Sequence, residues 1–143
     1  MLEEILPPHT VLAFAAMQEL RTGLTGPDDF VEQVDTIQRP NGYRLVGAFS
    51  GHGVEAVAVA GFRVTTSLSW GRHVYIDDLS TMASVRRQGF ASQLLAWIAN
   101  EADLLDCGQV HLDSGVGPDR QSAHRLYLNT GYVINAHHFM RRG

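Results

Sequence analysis

A turn rich in arginine and glycine joins a strand-like segment to a helix-like segment. Residues 86–91 read Arg-Arg-Gln-Gly-Phe-Ala, between an apolar run that ends at Leu79 and a helical pattern that starts near Gln93. The first N–H groups of a helix have no intrahelical acceptor and lie at the positive end of the helix dipole. Gly89 lets the backbone approach a ligand closely, and the neighbouring arginine and glutamine side chains add charge and donors. The pattern therefore predicts a site for a diphosphate.

The turn differs from two commoner phosphate motifs. The chain contains no Gly-x-x-x-x-Gly-Lys-[Ser/Thr], and no Gly-x-Gly-x-x-Gly opens a helix. Taken alone, a short basic hexapeptide is also compatible with an ordinary exposed loop before a helix. The rest of the sequence is needed to decide between these two interpretations.

Two signatures resemble those of the GNAT superfamily of acyl-CoA-dependent N-acetyltransferases. Residues 86–91 match [Arg/Gln]-x-x-Gly-x-[Gly/Ala] after a strand and at the start of a helix. Residues 123–132, Ala-His-Arg-Leu-Tyr-Leu-Asn-Thr-Gly-Tyr, resemble Ala-x-x-[Leu/Phe]-Tyr-x-x-x-Gly-[Phe/Tyr]. The signatures stand in the family's order, and the resemblance extends from about Tyr43 to the C-terminus.

The resemblance implies acetyl-CoA as cosubstrate and assigns the residues that bind it. In the family, the strand before the turn offers backbone N–H groups to the acetyl and pantetheine portions of acetyl-CoA. The next strand splays away from it, and pantetheine inserts into the opening between the two strands. Ser114 is expected at the mouth of this opening. Arg120 replaces an asparagine of many members, so either it faces the CoA phosphates or that contact is missing. The implied CoA-binding residues are Leu79, Ser80, Thr81, Arg86, Arg87, Gln88, Gly89, Phe90, Ala91, Ser92 and Arg120.

Acetyl transfer to an amine needs a group that accepts the amine proton and benefits from an acid for the leaving thiolate. Tyr127 matches the family tyrosine that acts as this acid; otherwise its ring packs the helix on the sheet. The base is predicted to be Asp77 or Asp78, acting directly or through water; otherwise one of them caps a loop or pairs with an arginine. Tyr75 stands where some histone-modifying members carry a glutamate base, so the sequence does not support that version of the mechanism.

Composition is typical of one soluble domain over residues 1–143. The chain is 45% hydrophobic, carries a net charge of −4 and has one cysteine, Cys107. We therefore expect a cytoplasmic protein without disulfides, without a membrane segment and without a basic face for nucleic acid. The seven histidines lack zinc-site spacing, so no metal is expected. The expected partners are acetyl-CoA and an amine acceptor, and the sequence leaves a homodimer open.

The remaining patterns predict the elements that position these residues. Thr10 is a candidate N-cap for a helix over 11–20, and Pro27 begins a second helix that ends near Thr36. The family's opening strand is either very short, within 2–6, or missing. The further expected elements are strands 43–49, 54–64 and 72–79, a hairpin loop at 50–53, a helix from 93, strand 110–113, a helix from Asp119 or Ser122 that ends at Gly131, and terminal strands 132–134 and 138–141.

This element order predicts an α/β fold with a mixed central sheet. Two helices precede the sheet, two more follow the turn, and two strands are expected to splay apart as in the GNAT fold. The predicted function is an acetyl-CoA-dependent N-acetyltransferase that acts by direct transfer in a ternary complex. The alternative is a non-catalytic acyl-CoA-binding or regulatory module of the same fold.

Overall fold

The computed structural model describes every residue from Met1 to Gly143 and has a five-stranded sheet with four α-helices. The predicted mixed α/β architecture is confirmed. The strands lie in chain order across the sheet, and β1 to β4 form an antiparallel meander. The elements are β1 (Leu2–Ile5), α1 (Phe14–Leu20), α2 (Pro27–Glu32), β2 (Tyr43–Ala48), β3 (Ala58–Ser67), β4 (Gly71–Thr81), α3 (Phe90–Leu104), β5 (Gln109–Leu112) and α4 (Gln121–Asn129).

The chain forms two compact units, Met1–His111 and Leu112–Gly143. The first unit contains β1 to β4 and the helices α1 to α3, and the second contains α4. The prediction of a single domain over 1–143 stays a prediction.

The first unit has helices on both faces of its sheet. Tyr43 and Leu45, which share one face of β2, belong to a buried cluster with Met17 of α1 and Phe30 of α2. Arg44 points to the opposite face, where its guanidinium binds Glu4 and Glu101 at 2.8 and 3.1 Å. Because Glu101 belongs to α3, that face lies under α3, whose buried side chains are Leu94, Leu95, Ile98 and Ala102. The sheet is therefore the middle layer of this unit.

The predicted cap at Thr10 is wrong. A 3-10 turn occupies Thr10–Ala13 before α1, and its N-cap position is His9, without a side-chain cap. The buried Thr10 hydroxyl instead donates to Asp35 at 2.7 Å and accepts from Arg39 at 3.0 Å. These partners are distant in sequence, so local pattern could not reveal them.

Two strand predictions need correction. β1 exists, and it is short as one alternative expected. β3 begins at Ala58 rather than Val54, because the buried Ala56 directs its N–H to the carbonyl of Leu12, outside the sheet. The hairpin loop is correspondingly longer than residues 50–53.

The two terminal strands are not formed. Gly131 ends α4 with φ +96°, as predicted, and the N–H of Tyr132 donates to the carbonyl of Tyr127 at 3.0 Å. Residues 133–143 then have no regular structure. Their apolar side chains, Val133, Ile134, Phe139 and Met140, are between 65% and 89% exposed. Without apolar burial, nothing offsets the entropy cost of ordering a strand there.

Candidate functional site

The turn between β4 and α3 has the backbone shape expected of an anion cradle. Gly89 adopts φ +87° at the N-cap of α3, and Arg87 also has a left-handed backbone, with φ +66°. The first intrahelical bond runs from the N–H of Gln93 to the carbonyl of Gly89 at 3.1 Å. The N–H groups of residues 90–92 therefore have no intrahelical acceptor, and they are donors available to an anion.

The side chains of this turn leave their charge available to a ligand. Arg86, Arg87 and Gln88 are exposed, and none of them forms an ion pair or a hydrogen bond within the protein. The arginines bring two positive charges to the end of a helix of 15 residues, where the helix dipole has the same sign. Both contributions attract a negatively charged group.

The last residues of β4 direct two backbone N–H groups away from β3. Leu79, Ser80 and Thr81 lie opposite Ala60, Val59 and Ala58. The N–H of Met82 donates to Val57 across the same ladder at 2.9 Å, and hydrogen-bonded pairs alternate along an antiparallel ladder. Ser80 is therefore bonded to β3, whereas Leu79 and Thr81 direct their N–H groups outward. The buried Ser80 hydroxyl donates to the carbonyl of Ala16 at 2.7 Å, so its role is to hold α1.

A β-bulge brings both candidate carboxylates to one face of the sheet. Gly61 pairs with Asp78 and Phe62 with Ile76, so Asp77 is the extra residue in β4. Asp77 binds Arg63 through two hydrogen bonds of 2.7 and 2.8 Å. Arg63 also lies over the Tyr75 ring, which confirms that Tyr75 and Asp77 share a face.

Asp78 has different partners. One carboxylate oxygen accepts from the hydroxyl of Tyr43 at 2.6 Å, and the other accepts from Nε of Arg21 at 2.8 Å. A Cβ at Gly61 would lie 1.7 Å from the Tyr43 oxygen, so only glycine leaves room for this ring. Burial and the neighbouring Asp78 charge raise the pKa of Tyr43 well above its usual value, so its hydroxyl stays a donor at neutral pH.

A cleft of about 390 Å³ opens between the sheet, the helices α1 and α2, and the π-helical segment Gln33–Gln38 that continues α2. Its floor is formed largely by buried apolar side chains, and Asp78 and Arg21 are its charged residues. The lining residues are Met17, Arg21, Gly23, Leu24, Phe30, Gln33, Val34, Gln38, Tyr43 and Asp78.

The second unit contains the predicted acid. Tyr127 is buried on α4, and burial raises the pKa of its hydroxyl while the nearby Arg120 partly opposes the rise. The hydroxyl is therefore protonated at neutral pH. Tyr132, whose ring centroid lies 6.0 Å from that of Tyr127, has its pKa raised to about 12, mainly by burial. The Oγ of Ser114 is buried and has no hydrogen-bond partner.

The structure brings no group of three or more histidine, cysteine, aspartate or glutamate side chains close enough to hold a metal ion. None of its helices is both long enough and apolar enough to cross a membrane.

Three residues of the Asp78 environment were missed by the sequence analysis: Arg21, Tyr43 and Gly61. The available signal was Gly61, because a glycine inside a strand indicates a bulge or a close backbone approach. Nothing in the local pattern pointed to Arg21, which is 57 residues from Asp78.

Known proteins resemble this chain along most of its length. An uncharacterized N-acetyltransferase of Bacillus subtilis strain 168, YhdJ, is 29% identical over 130 residues, which are 90% of this chain and 88% of that protein. The crystal structure of a probable acetyltransferase superposes with a TM-score of 0.83 at 17% identity, covering 100% of this chain and 98% of the other. An aminoglycoside N-acetyltransferase, AAC(6')-Iy, in complex with CoA gives a TM-score of 0.80 at 15% identity, covering 100% and 93%.

The family model is the decisive comparison. The model described as the acetyltransferase (GNAT) family matches residues 13–132, and thus includes both signatures and the strand before the turn. The predicted resemblance and fold are confirmed: the chain belongs to the GNAT family of acetyltransferases.

Proposed function

We propose that the protein transfers the acetyl group of acetyl-CoA to a primary amine by direct transfer in a ternary complex. Its family makes it an acyl-CoA-dependent acyltransferase that binds an acceptor substrate. The observation that carries the proposal is the turn at Gly89, where unpaired arginines and free helix N–H groups suit a diphosphate. The names of the Bacillus subtilis relative and of the CoA-bound neighbour, both N-acetyltransferases, support the amine as acceptor.

The residues of this chain fit CoA. Arg86, Arg87, Gln88 and the N–H groups of residues 90–92 would hold the diphosphate. The outward N–H groups of Leu79 and Thr81 would bind the acetyl and pantetheine portions as an added strand does. The orphaned Oγ of Ser114 is a further polar atom that pantetheine could satisfy. A contact between Arg120 and the CoA phosphates stays a prediction.

The proposed chemistry needs a base and an acid from the chain. Acetyl-CoA, when bound, supplies an acetyl group activated as a thioester. Asp77 or Asp78, directly or through water, accepts a proton from the amine nitrogen. The hydroxyl of Tyr127, protonated at neutral pH, gives a proton to the leaving sulfur. Release of free CoA thiol from acetyl-CoA on addition of amines tests the function. If the protein binds acetyl-CoA tightly but no amine in a broad panel causes thiol release, the protein is better described as a binding module.

Replacing Gly89 by valine should weaken acetyl-CoA binding at least tenfold, about 1.4 kcal/mol. A β-branched residue resists φ +87°, so the cradle backbone must move or be strained. Calorimetric titration measures the change. Gly42→Val is the matched control, because Gly42 has φ +95° and open space around it, like Gly89. Equal affinities for the Gly89→Val variant and the wild type would remove the diphosphate assignment.

Removing the turn's charges should weaken CoA binding in a salt-dependent way. Arg86→Ala and Arg87→Ala are expected to raise the Kd more at low than at high ionic strength, because solvent screens exposed charges. Titrations at two salt concentrations measure this, with the exposed Arg142 changed to alanine as control. A loss of affinity that is the same at both salt concentrations would show that the guanidinium groups act structurally.

A further inference from the structure

We infer that the cleft between the sheet and the helices α1 and α2 is the acceptor site, and that it takes an α-amino acid with an apolar side chain. The inference rests on the proposed acetyl transfer and names its substrate class. Three features of the cleft carry it: a carboxylate, a guanidinium with an unused nitrogen, and an apolar floor.

The two charged groups of the cleft are complementary to a zwitterion. Arg21 uses Nε on Asp78 and Nη2 on the carbonyl of Asp77, both at 2.8 Å, and its Nη1 has no partner. Its side chain is 51% exposed, so a ligand carboxylate can reach it. Asp78 accepts one hydrogen bond at each oxygen, and each oxygen keeps a second acceptor site for an ammonium.

The floor provides a place for an apolar side chain. Met17, Phe30 and Val34 are each less than 5% exposed, and Leu24 is partly buried beside them. The lining amides, Gln33 and Gln38, carry no charge. A charged side chain would lose its hydration over this floor without gaining a partner, so the floor selects against it.

The position of Asp78 connects the cleft to the acetyl group. Asp78 directly precedes Leu79, and neighbouring Cα atoms are about 3.8 Å apart. An amine bound at Asp78 is therefore near the outward N–H of Leu79, the proposed acetyl ligand. Asp78 lines the cleft, whereas Asp77 does not and its carboxylate is bound to Arg63 outside it. The chemistry thus assigns proton acceptance to Asp78.

Asp78 and Tyr127 together account for every proton that moves during the acetyl transfer. The ammonium loses one proton to Asp78, which passes it to solvent, and the freed nitrogen lone pair forms the C–N bond. The C–S bond breaks with its electron pair on sulfur, which takes a proton from Tyr127. The second proton lost by nitrogen restores the Tyr127 hydroxyl.

The test compares L-phenylalanine with L-phenylalaninamide, which lacks the carboxylate, as acceptors at saturating acetyl-CoA. We expect the wild type to have a KM at least tenfold lower for phenylalanine. In the Arg21→Gln variant, the KM values for the two acceptors should differ by less than about threefold, because the variant lacks the guanidinium that binds the carboxylate. A tenfold difference in KM corresponds to about 1.4 kcal/mol of carboxylate binding. Comparing the KM ratio between the two proteins cancels the difference in intrinsic reactivity between the two amines. L-glutamate should be a poor acceptor for both proteins.

Arg72→Gln is the matched control. Arg72 also donates to a backbone carbonyl, that of Leu105 at 2.7 Å, and lies outside the cleft, so the KM ratio should stay at its wild-type value. Equal KM values for the two acceptors in the wild type, or an unchanged ratio in Arg21→Gln, would overturn the inference. Turnover of other amines but not of phenylalanine would overturn it while leaving the acetyl transfer intact.

A binding measurement separates the two levels of the proposal. Calorimetry on the CoA-loaded protein should show phenylalanine binding more tightly than its amide, and Arg21→Gln should abolish the difference. If phenylalanine binds in this way but is not acetylated, the cleft is confirmed as an amino-acid site and the proposed acetyl transfer is contradicted. Absence of both binding and turnover for phenylalanine would overturn the assignment of the cleft.

Discussion

Replacing Tyr127 by phenylalanine is expected to lower kcat by about 10²- to 10⁴-fold, the usual size of general-acid help. The substitution keeps the ring that α4 buries and removes only the hydroxyl proton. Acetyl-CoA should therefore bind nearly as it does to the wild type. Steady-state thiol release measures the loss, and calorimetry with acetyl-CoA checks the binding.

Tyr132→Phe is the control for this experiment. Tyr132 is a partly buried phenol in the same unit, 6.0 Å from Tyr127 between ring centroids, and its pKa is raised to about 12. Loss of the Tyr132 hydroxyl should change kcat by less than about threefold if the effect of Tyr127→Phe is specific to a positioned acid. A loss below threefold for Tyr127→Phe itself would make Tyr127 a packing residue, with solvent or another group supplying the proton.

Replacing Asp78 by asparagine is expected to lower kcat/KM for the acceptor by about 10²- to 10⁴-fold. The amide cannot accept the amine proton. It also presents an N–H₂ group to either Tyr43 or Arg21, both of which donate to Asp78 in the native protein. The same substitution should therefore lower the free energy of unfolding by about 1 to 3 kcal/mol, since one of these two donors loses its acceptor and Arg21 loses its ion pair. Thiol-release kinetics and denaturant unfolding measure the two effects.

Asp77→Asn provides the comparison within the same bulge. Asp77 holds Arg63 and does not line the cleft, so its replacement should cost less than about tenfold in kcat/KM. Should Asp77→Asn prove the more damaging change, the proton would pass through Asp77, and the roles assigned to the two carboxylates would have to be exchanged.

Local sequence was sufficient to predict the turn at residues 86–91. Its shape depends on a glycine with positive φ followed by a helix start, and both are decided by residues within a few positions of each other. The end of α4 at Gly131 was predictable for the same reason. The family signatures are also local patterns, and so the family could be recognised from the chain alone.

The environment of Asp78 was decided by the tertiary structure. Its partners, Tyr43 and Arg21, come from β2 and the end of α1, and they meet Asp78 only because β2, β3 and β4 are neighbours under α1. The bulge at Asp77 is a property of the β3–β4 pairing and is set by neither strand alone.

The same reasoning explains the failures at the two ends of the chain. Thr10 has the composition of a cap, yet its hydroxyl is used by Asp35 and Arg39 from another segment. Residues 132–134 and 138–141 were predicted as strands, yet strand formation requires a partner and burial, neither of which lies in the segments themselves. Sequence alone thus determined two features whose energy is local, the glycine turn before α3 and the end of α4 at Gly131. Tertiary packing decided which carboxylate faces a cleft, because the contacts that place it join residues 35 and 57 positions apart.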